Sequence, residues 1–334
     1  CKSPETLLAL DWAKQPRIAW QCELGTGYGA PVVSRGRLLH FDRHGDQARL
    51  TCRHSETGQE LWRFEHGTEY SDMLGYNNGP RCSPLVDGAR VYTMSAEGKL
   101  HCVRLADGKR LWQVDTHKKF GVVNNFFGVG STPLVVGDLL IANIGGSPQD
   151  APTDIYSAQG KVDGNGTGVV AFDTLTGEVR WQATDELASY ASPVSATLGG
   201  QSWCFVFARG GLIGLNPLTG AARFQFPWRA KLLESVNASS PVVVGDYVFI
   251  SETYGRGSAL LRVQEGTPEV VWQDESRSRD KSLELHWNTA IHHGGYLYGS
   301  SGRHTGSAEL RCVAFDTGKV AWSEPGLGRA ALLF

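Results

Sequence analysis

The sequence has little methionine, almost no net charge, no long apolar run and no paired cysteines. Two methionines among 334 residues, against 41 glycines, fit many tight turns and few long helices. Lys and Arg (32) nearly cancel Asp and Glu (34), so net charge is -2 and no basic run marks a nucleic-acid footprint. No stretch of eighteen uninterrupted apolar residues occurs, which excludes a transmembrane helix. Disorder is excluded too, because 41% of the residues are hydrophobic. No G-x-S-x-G elbow, H-E-x-x-H pair or phosphate-binding P-loop is present.

The seven cysteines (1, 22, 52, 82, 102, 204 and 312) contain no CxxC and no adjacent pair. Cys52, Cys102 and Cys312 each lie six residues before a turn glycine, at Gly58, Gly108 and Gly318. One repeat position places them in separate sheets, beyond disulfide reach, as buried small residues. Cys1 opens the chain without a Met, which fits a lipid-modified mature N-terminus or, as the reading preferred here, a fragment.

What the sequence does contain is a repeat. A turn ending in Thr-Gly or Asp-Gly is followed four residues later by Trp: ETGQELW at Glu56–Trp62, ADGKRLW at Ala106–Trp112, LTGEVRW at Leu175–Trp181 and DTGKVAW at Asp316–Trp322. Worn copies end at Phe224 and Trp272. The aromatic positions 62, 112, 181, 224, 272 and 322 are 50, 69, 43, 48 and 50 residues apart. A second phrase opens each unit: small-Pro-apolar-apolar, a Gly turn, then an alternating apolar run. It starts at Ala30, Ser83, Ser131, Ser192, Ser240 and Asn288, the last copy carrying His292 where the others have Pro. Each unit therefore reads strand, turn, strand, short strand, Thr-Gly turn, strand.

Four short strands per unit, six times over, predict an all-β fold, a β-propeller of four-stranded blades in a single domain. The blades fall roughly at 27–66, 80–115, 130–184, 190–228, 238–275 and 287–324. Residues 16–24, with Trp20, read as the outer strand of a closing blade, and 329–334 as the start of a truncated one. That count points to eight blades when complete.

The phrase A-F-D-x-x-T-G-x-x-x-W at Ala171–Trp181 resembles the tryptophan-docking motif of the PQQ-like, or quinoprotein-type, propeller repeat. The resemblance covers Trp20 to Trp322. The segments DELASYASPV, HWNTAIHHGGYLYGSSGRH and NGPRCSP look like PQQ-like repeat proteins of planctomycete-type bacteria. It implies a structural role for Trp62, Trp112, Trp181, Phe224, Trp272 and Trp322, and a periplasmic, cell-surface or secreted location. Fold likeness does not carry activity. The same repeat occurs in quinoprotein dehydrogenases, in a scaffold lipoprotein of outer-membrane assembly and in sensor domains. Many of the dehydrogenases have an adjacent Cys-Cys pair under the cofactor, and they hold Ca²⁺ with Glu, Asn and Asp. This sequence has no such pair, and no stretch of it maps onto that ligand set.

The loops entering the first strand of each blade open on one face near the axis. They are rich in amides and aromatics: Tyr28, then Tyr76, Asn77, Asn78 and Arg81, then Asn124 and Asn125, then Tyr190, Glu234 and Asn237, then His286, Trp287, Asn288 and His292. Asn237 and Asn288 read as equivalent positions, as do Tyr28 and Tyr190. A ring of such side chains suits a polar ligand, while Asn residues also satisfy loop backbone by Asx-turns. Blade three carries an insertion, 145–168, in which Asp163 and Asn165 are weak candidates for Ca²⁺. The expected function is a non-catalytic binding or scaffold propeller for a protein, peptide or glycan, with no cofactor. The alternative is a PQQ-dependent oxidoreductase with Ca²⁺ and quinone on the axis, using Trp287, Phe126 and Phe127 as a slot. A weaker third reading is a hydrolase with Glu234 beside His286 or Arg81.

Overall fold

A computed structural model describes residues 18–159, 162–264 and 266–333. Cys1, residues 16–17 and residue 334 lie outside the described residues. Six four-stranded antiparallel sheets follow one another along the chain. They span residues 32–67, 85–115, 134–183, 194–227, 242–273 and 291–325, termed blades 1 to 6. Within each, strands pair in sequence order, so every connection is a hairpin. Blade 1 shows the pattern: β1 (Val32–Ser34), β2 (Arg37–His44), β3 (Gln47–His54) and β4 (Glu60–Gly67). This is the repeat expected from the sequence.

The cores lie between blades, not within them. Leu39, Phe41 and Leu50 of blade 1 pack with Val91 and Val103 of blade 2. Similar apolar clusters join blades 2 and 3, 3 and 4, 4 and 5, and 5 and 6. A single sheet has two faces and no core of its own, so each blade is stable only against its neighbours.

Two periodic devices fix the blades to one another. The first uses the indole. Nε1 of Trp20, Trp62, Trp112, Trp181 and Trp272 donates to the carbonyls of Ser55, Leu105, Thr174, Pro217 and Phe315 in the next blade, at 2.9, 3.0, 3.1, 3.0 and 2.8 Å. Each acceptor precedes by three residues the glycine of the Thr-Gly or Asp-Gly turn. The indole covers that glycine so closely that a Cβ on Gly58 or Gly177 would lie 2.6 or 2.7 Å from ring carbon. The same glycines have φ of 72° and 73°, so both backbone and space demand them. Directly across the sheet from Trp62, Trp112 and Trp322 stand Cys52, Cys102 and Cys312. These are the buried small residues anticipated, and all are free thiols.

The second device is a ladder of hydroxyls around the axis. The backbone N–H groups of Ala30, Ser83, Thr132, Ser192 and Ser240 donate to the hydroxyls of Ser83, Thr132, Ser192, Ser240 and Thr289, at 3.0, 3.1, 3.0, 3.1 and 3.2 Å. The small residue before Pro is therefore a hydroxyl for a reason: it satisfies the preceding blade's inner strand. Removing one such bond leaves an N–H unpaired near the axis. Ser240→Ala is expected to cost about 1 kcal/mol in urea unfolding, and Ser240→Thr close to nothing.

The ladder also corrects the register expected for blade 6. Thr289 holds the hydroxyl position, so Ala290, not His292, stands where the other blades have Pro. Asn288 lies one residue before the hydroxyl and Asn237 three residues before, so the two are not equivalent. Trp287 is the counterpart of Tyr28 and Tyr190, two residues before it.

Three further expectations change. Residues 18–24 form no strand, although Trp20 caps blade 1 as the repeat requires. Residues 329–333 form no strand either. Phe224 docks on no turn glycine; its ring packs against Gly214, Trp203 and Phe205 of its own blade. Trp322 is 45% exposed, and the strand Val320–Pro325 is exposed throughout. Trp20 already occupies Gly58, and Ala30 offers no hydroxyl, so blade 6 does not close onto blade 1 by either device. The described residues hold six of the eight blades expected.

Candidate functional site

Each inner strand starts on one face and ends in a Gly turn on the other. Loops 68–84, 116–133, 184–193, 228–241 and 274–290 therefore gather on one face, as expected. The hairpins between second and third strands lie on that same face, and with them the blade 3 insertion. These hairpins bring in residues that the sequence reading did not single out: Arg209, Tyr254 and Arg303.

Most amides of this face are used by the protein itself. Asn77 Oδ1 accepts from Gly79 N–H at 2.8 Å, and Asn78 Oδ1 from Asp72 N–H at 2.8 Å. Asn125 donates to the Ala188 carbonyl at 2.8 Å. Asn237 donates to the carbonyls of Ala208 and Trp228 at 2.7 and 3.2 Å, and Asn288 to that of Ser300 at 3.0 Å. Asn124 joins the insertion through its backbone, donating to Thr153 O and accepting from Ile155 N–H. Arg81 is not free for a ligand. It pairs with the buried Asp72 at 2.6 Å, donates to Gly79 and Asn77 carbonyls, and lies over the rings of Tyr70 and Tyr28 at 4.9 and 5.8 Å. These groups build the loops, because a buried polar atom without a partner is costly.

Aromatic side chains remain. Tyr76 is 70% exposed, Tyr28 62% and Trp287 44%. Tyr190 is buried and accepts from Phe127 N–H at 3.0 Å. The rings form a line across the axis. Tyr76 meets Phe127 at 6.0 Å between centroids, Phe127 meets Trp287 at 5.5 Å, and Trp287 meets Tyr190 at 5.1 Å and His286 at 4.6 Å. Phe126 turns away into a cluster with Ile155, Tyr190 and Val236, where the insertion's Tyr156 meets it at 4.9 Å.

His286 is pinned from both sides. Arg329 donates to its Nδ1 at 3.1 Å, and its Nε2 lies 3.2 Å from the Tyr254 hydroxyl. Burial, reinforced by Arg329 and Arg303, pulls its pKa down to about 3. A neutral ring that accepts at Nδ1 carries its proton on Nε2, which donates to Tyr254 and leaves that hydroxyl's own proton pointing elsewhere. Arg303 lies 4.7 Å above the Tyr254 ring. Arg209 is only 3% exposed and donates to Asn125 Oδ1 and to the Leu233 carbonyl. Glu234 is exposed and bonds to neither His286 nor Arg81, which have other partners, so the hydrolase constellation is not assembled. His292 sits in the inner strand of blade 6 with its ring 4.7 Å from Phe315, near the opposite rim, and is not part of this face.

A quinone and its cation would need parallel aromatic faces and a converging set of oxygen ligands on this face. Phe127 and Trp287 do meet across the axis, but edge to face at 73° and 5.5 Å. A planar ring between them would need parallel faces about 7 Å apart, two contact distances of about 3.5 Å. Among the described residues no three His, Cys, Asp or Glu side chains converge on a cation position. Glu252 caps the N–H groups of Tyr254 and Arg256, and Asp72 holds Arg81. In the insertion, Asn165 ties the Phe120 and Ser147 carbonyls together and accepts from Thr167, so it offers Asp163 no partner for Ca²⁺. The residues do not fit a quinone–calcium centre of the sandwiched kind.

The sequence matches the family described as "Outer membrane protein assembly factor BamB" over residues 5–151 and 46–324. No curated protein matches the chain significantly. Among solved structures, BamB from Moraxella catarrhalis superposes with a TM-score of 0.56 at 16% identity, covering 89% of this chain and 72% of that one. A europium-containing methanol dehydrogenase superposes with a TM-score of 0.60 at 13% identity, covering 90% of this chain and 69% of that one. One fold thus spans an assembly factor and a dehydrogenase.

Proposed function

The chain belongs to the PQQ-like propeller family described as outer membrane protein assembly factor BamB, and from that membership we propose that it is a recognition propeller of the cell envelope. Its axial face takes a protein or peptide segment. The observation that carries this reading is the division of labour on that face. Amides and Arg81 are spent on the loops, while Tyr76 and Trp287 stay exposed on the aromatic line and Tyr28 stays exposed beside Arg81. Aromatic rings give large contact area for little lost entropy, as binding hot spots do. Met73 and Leu74 in the loop of Tyr76, and Leu232 in loop 228–241 of the same face, are exposed as well. Among the described residues no helix is long and apolar enough to cross a membrane.

The test is site-specific photocrosslinking in cells that produce the protein. A photoreactive residue replacing Tyr76 is expected to yield discrete protein adducts, and one replacing Gly245 on the opposite rim none. Trp287→Ala should weaken the Tyr76 adducts about tenfold or more, as loss of a central aromatic does. Absence of adducts at Tyr76, with saturable binding of PQQ and Ca²⁺ by the purified protein, would favour the oxidoreductase instead.

A further inference from the structure

We propose that the segment held on the axial face is acidic, presenting carboxylates beside apolar or aromatic side chains, with Arg303 and Arg329 as the exposed cations that meet it. The inference rests on the partner-binding reading above and adds a charge class to it.

Five arginines stand in the loops, hairpins and C-terminal segment of the same face: Arg209, Arg229, Arg256, Arg303 and Arg329. None forms an ion pair among the described residues, where seven other arginines do and nine do not. Their contacts are neutral. Arg229 donates to the Ser235 and Leu232 carbonyls at 3.0 and 3.1 Å. Arg256 lies over Trp228 at 4.1 Å, Arg303 over Tyr254, and Arg329 on His286. The nearby carboxylates form no ion pair with them, although the charges of Glu186 and Glu252 reach Arg229 and favour its charged form. Glu186 accepts from Gly210 N–H at 3.0 Å, and Glu252 is folded back on its own hairpin. Glu234 is exposed, as are Asp185, Glu275 and Asp280 in loops of the same face, and none of them forms an ion pair with these arginines. His286 is neutral and His304 is exposed beside it.

Buried Arg209 matters most to the balance. A guanidinium almost sealed from water, with only amide and carbonyl partners, is held at a cost that a nearby anion relieves. Burial first, then the neighbouring Arg229, lower its pKa to about 10. Arg303 and Arg329 are exposed but not loose. Stacking and a hydrogen bond place their heads in advance, which reduces the entropy lost on binding. A planar guanidinium takes a carboxylate through two parallel bonds, and the Tyr254 hydroxyl stands ready as a third donor. Positive charge around an apolar platform selects acidic-aromatic segments over neutral ones.

The experiment uses the full chain and two peptides on uncharged linkers, Phe-Glu-Phe-Glu-Phe and its Gln counterpart, read by biolayer interferometry. The acidic peptide is expected to bind about tenfold tighter at low salt, with most of the gap lost at high salt. Combined Arg303→Gln and Arg329→Gln should erase that gap, and Arg303→Lys with Arg329→Lys should keep part of it, with melting points unchanged. Equal affinity of the two peptides would overturn the charge class while leaving the aromatic platform. Binding of neither, with adducts at Tyr76, would also overturn it. Binding of neither, without adducts, would overturn both readings. Displacement of the acidic peptide by PQQ, with the same arginine dependence, would reassign the site to a small polyanion.

Discussion

Trp112→Ala is expected to destabilise the protein by about 3–5 kcal/mol, whereas Trp322→Ala at the same repeat position is expected to cost less than about 1 kcal/mol. Both residues face a cysteine across the equivalent hairpin of their own blade. What differs is the neighbour. Trp112 is 8% exposed, its ring covers Gly177, and its N–H reaches the Thr174 carbonyl at 3.1 Å. The Tyr92 hydroxyl donates to that same carbonyl at 3.2 Å, so one alanine loosens a shared acceptor as well as a cavity. Trp322 is 45% exposed and covers no turn glycine among the described residues. Urea unfolding of the two variants separates the accounts. Equal losses would mean that the tryptophan stabilises its own hairpin and not the junction between blades.

Gly177→Ala should reproduce much of the Trp112 effect from the other side. A Cβ there would meet the indole at 2.7 Å, and the residue's φ of 73° is strained for alanine. The junction is therefore a matched pair: a glycine that leaves room and an indole that fills it.

This pairing explains how much of the fold was legible. The Thr-Gly turn and its Trp lie four residues apart, so the repeat is written locally and six blades can be counted. The hydroxyl before Pro is equally local, but its purpose is not. Its donor lies 48 to 60 residues away, ahead of the preceding blade's inner strand. Without that partner, blade 6 aligns on its asparagine and puts His292 at the Pro position, two residues out of register. The site was half visible for a similar reason. Tyr28, Tyr76 and Trp287 stand in loops that open blades, where an exposed aromatic is conspicuous. Arg209, Tyr254 and Arg303 stand in hairpins between second and third strands, where Ala-Arg-Gly-Gly or Tyr-Gly-Arg-Gly reads as an ordinary turn. Arg329 lies beyond the last strand and reaches His286 only in space. The amides were visible but ambiguous, because Asn serves a loop or a ligand equally well in sequence; here the loop takes most of them.

Acid is expected to unfold the protein earlier than its carboxylates alone would require, and the cause lies in histidines. His101 is 3% exposed and stacks on His66 at 4.4 Å, between blades 1 and 2. Burial first, then the neighbouring His66 and Arg110, lower its pKa to about 3. His286 is 7% exposed with a pKa of about 3. In the unfolded chain both would titrate near the ordinary value of about 6.5. Below that value the unfolded state binds protons that the folded state refuses. Stability is therefore fully present above about pH 6.5 and falls as pH drops toward the folded value. At pH 5 each of these histidines subtracts about 2 kcal/mol, from 1.5 pH units at about 1.4 kcal/mol each. Glu186, Glu252 and Glu284 work the other way, because burial raises their pKa values and the folded state then binds protons first. The acid loss expected from His101 and His286 is therefore partly offset by these carboxyls. Asp42 acts lower still. Hydrogen bonds from His40, Gly25 and His44 overcome its burial and hold it at about 2, so its contribution is lost only below the ordinary carboxylate range. Urea midpoints at pH 7.5 and 5.0 test this directly. His101→Gln, neutral at both, should recover about 2 kcal/mol of the acid loss while starting no more stable at pH 7.5. An unchanged pH dependence in that variant would mean that His101 gains a proton in the folded state, and that the stack with His66 opens before the blades separate.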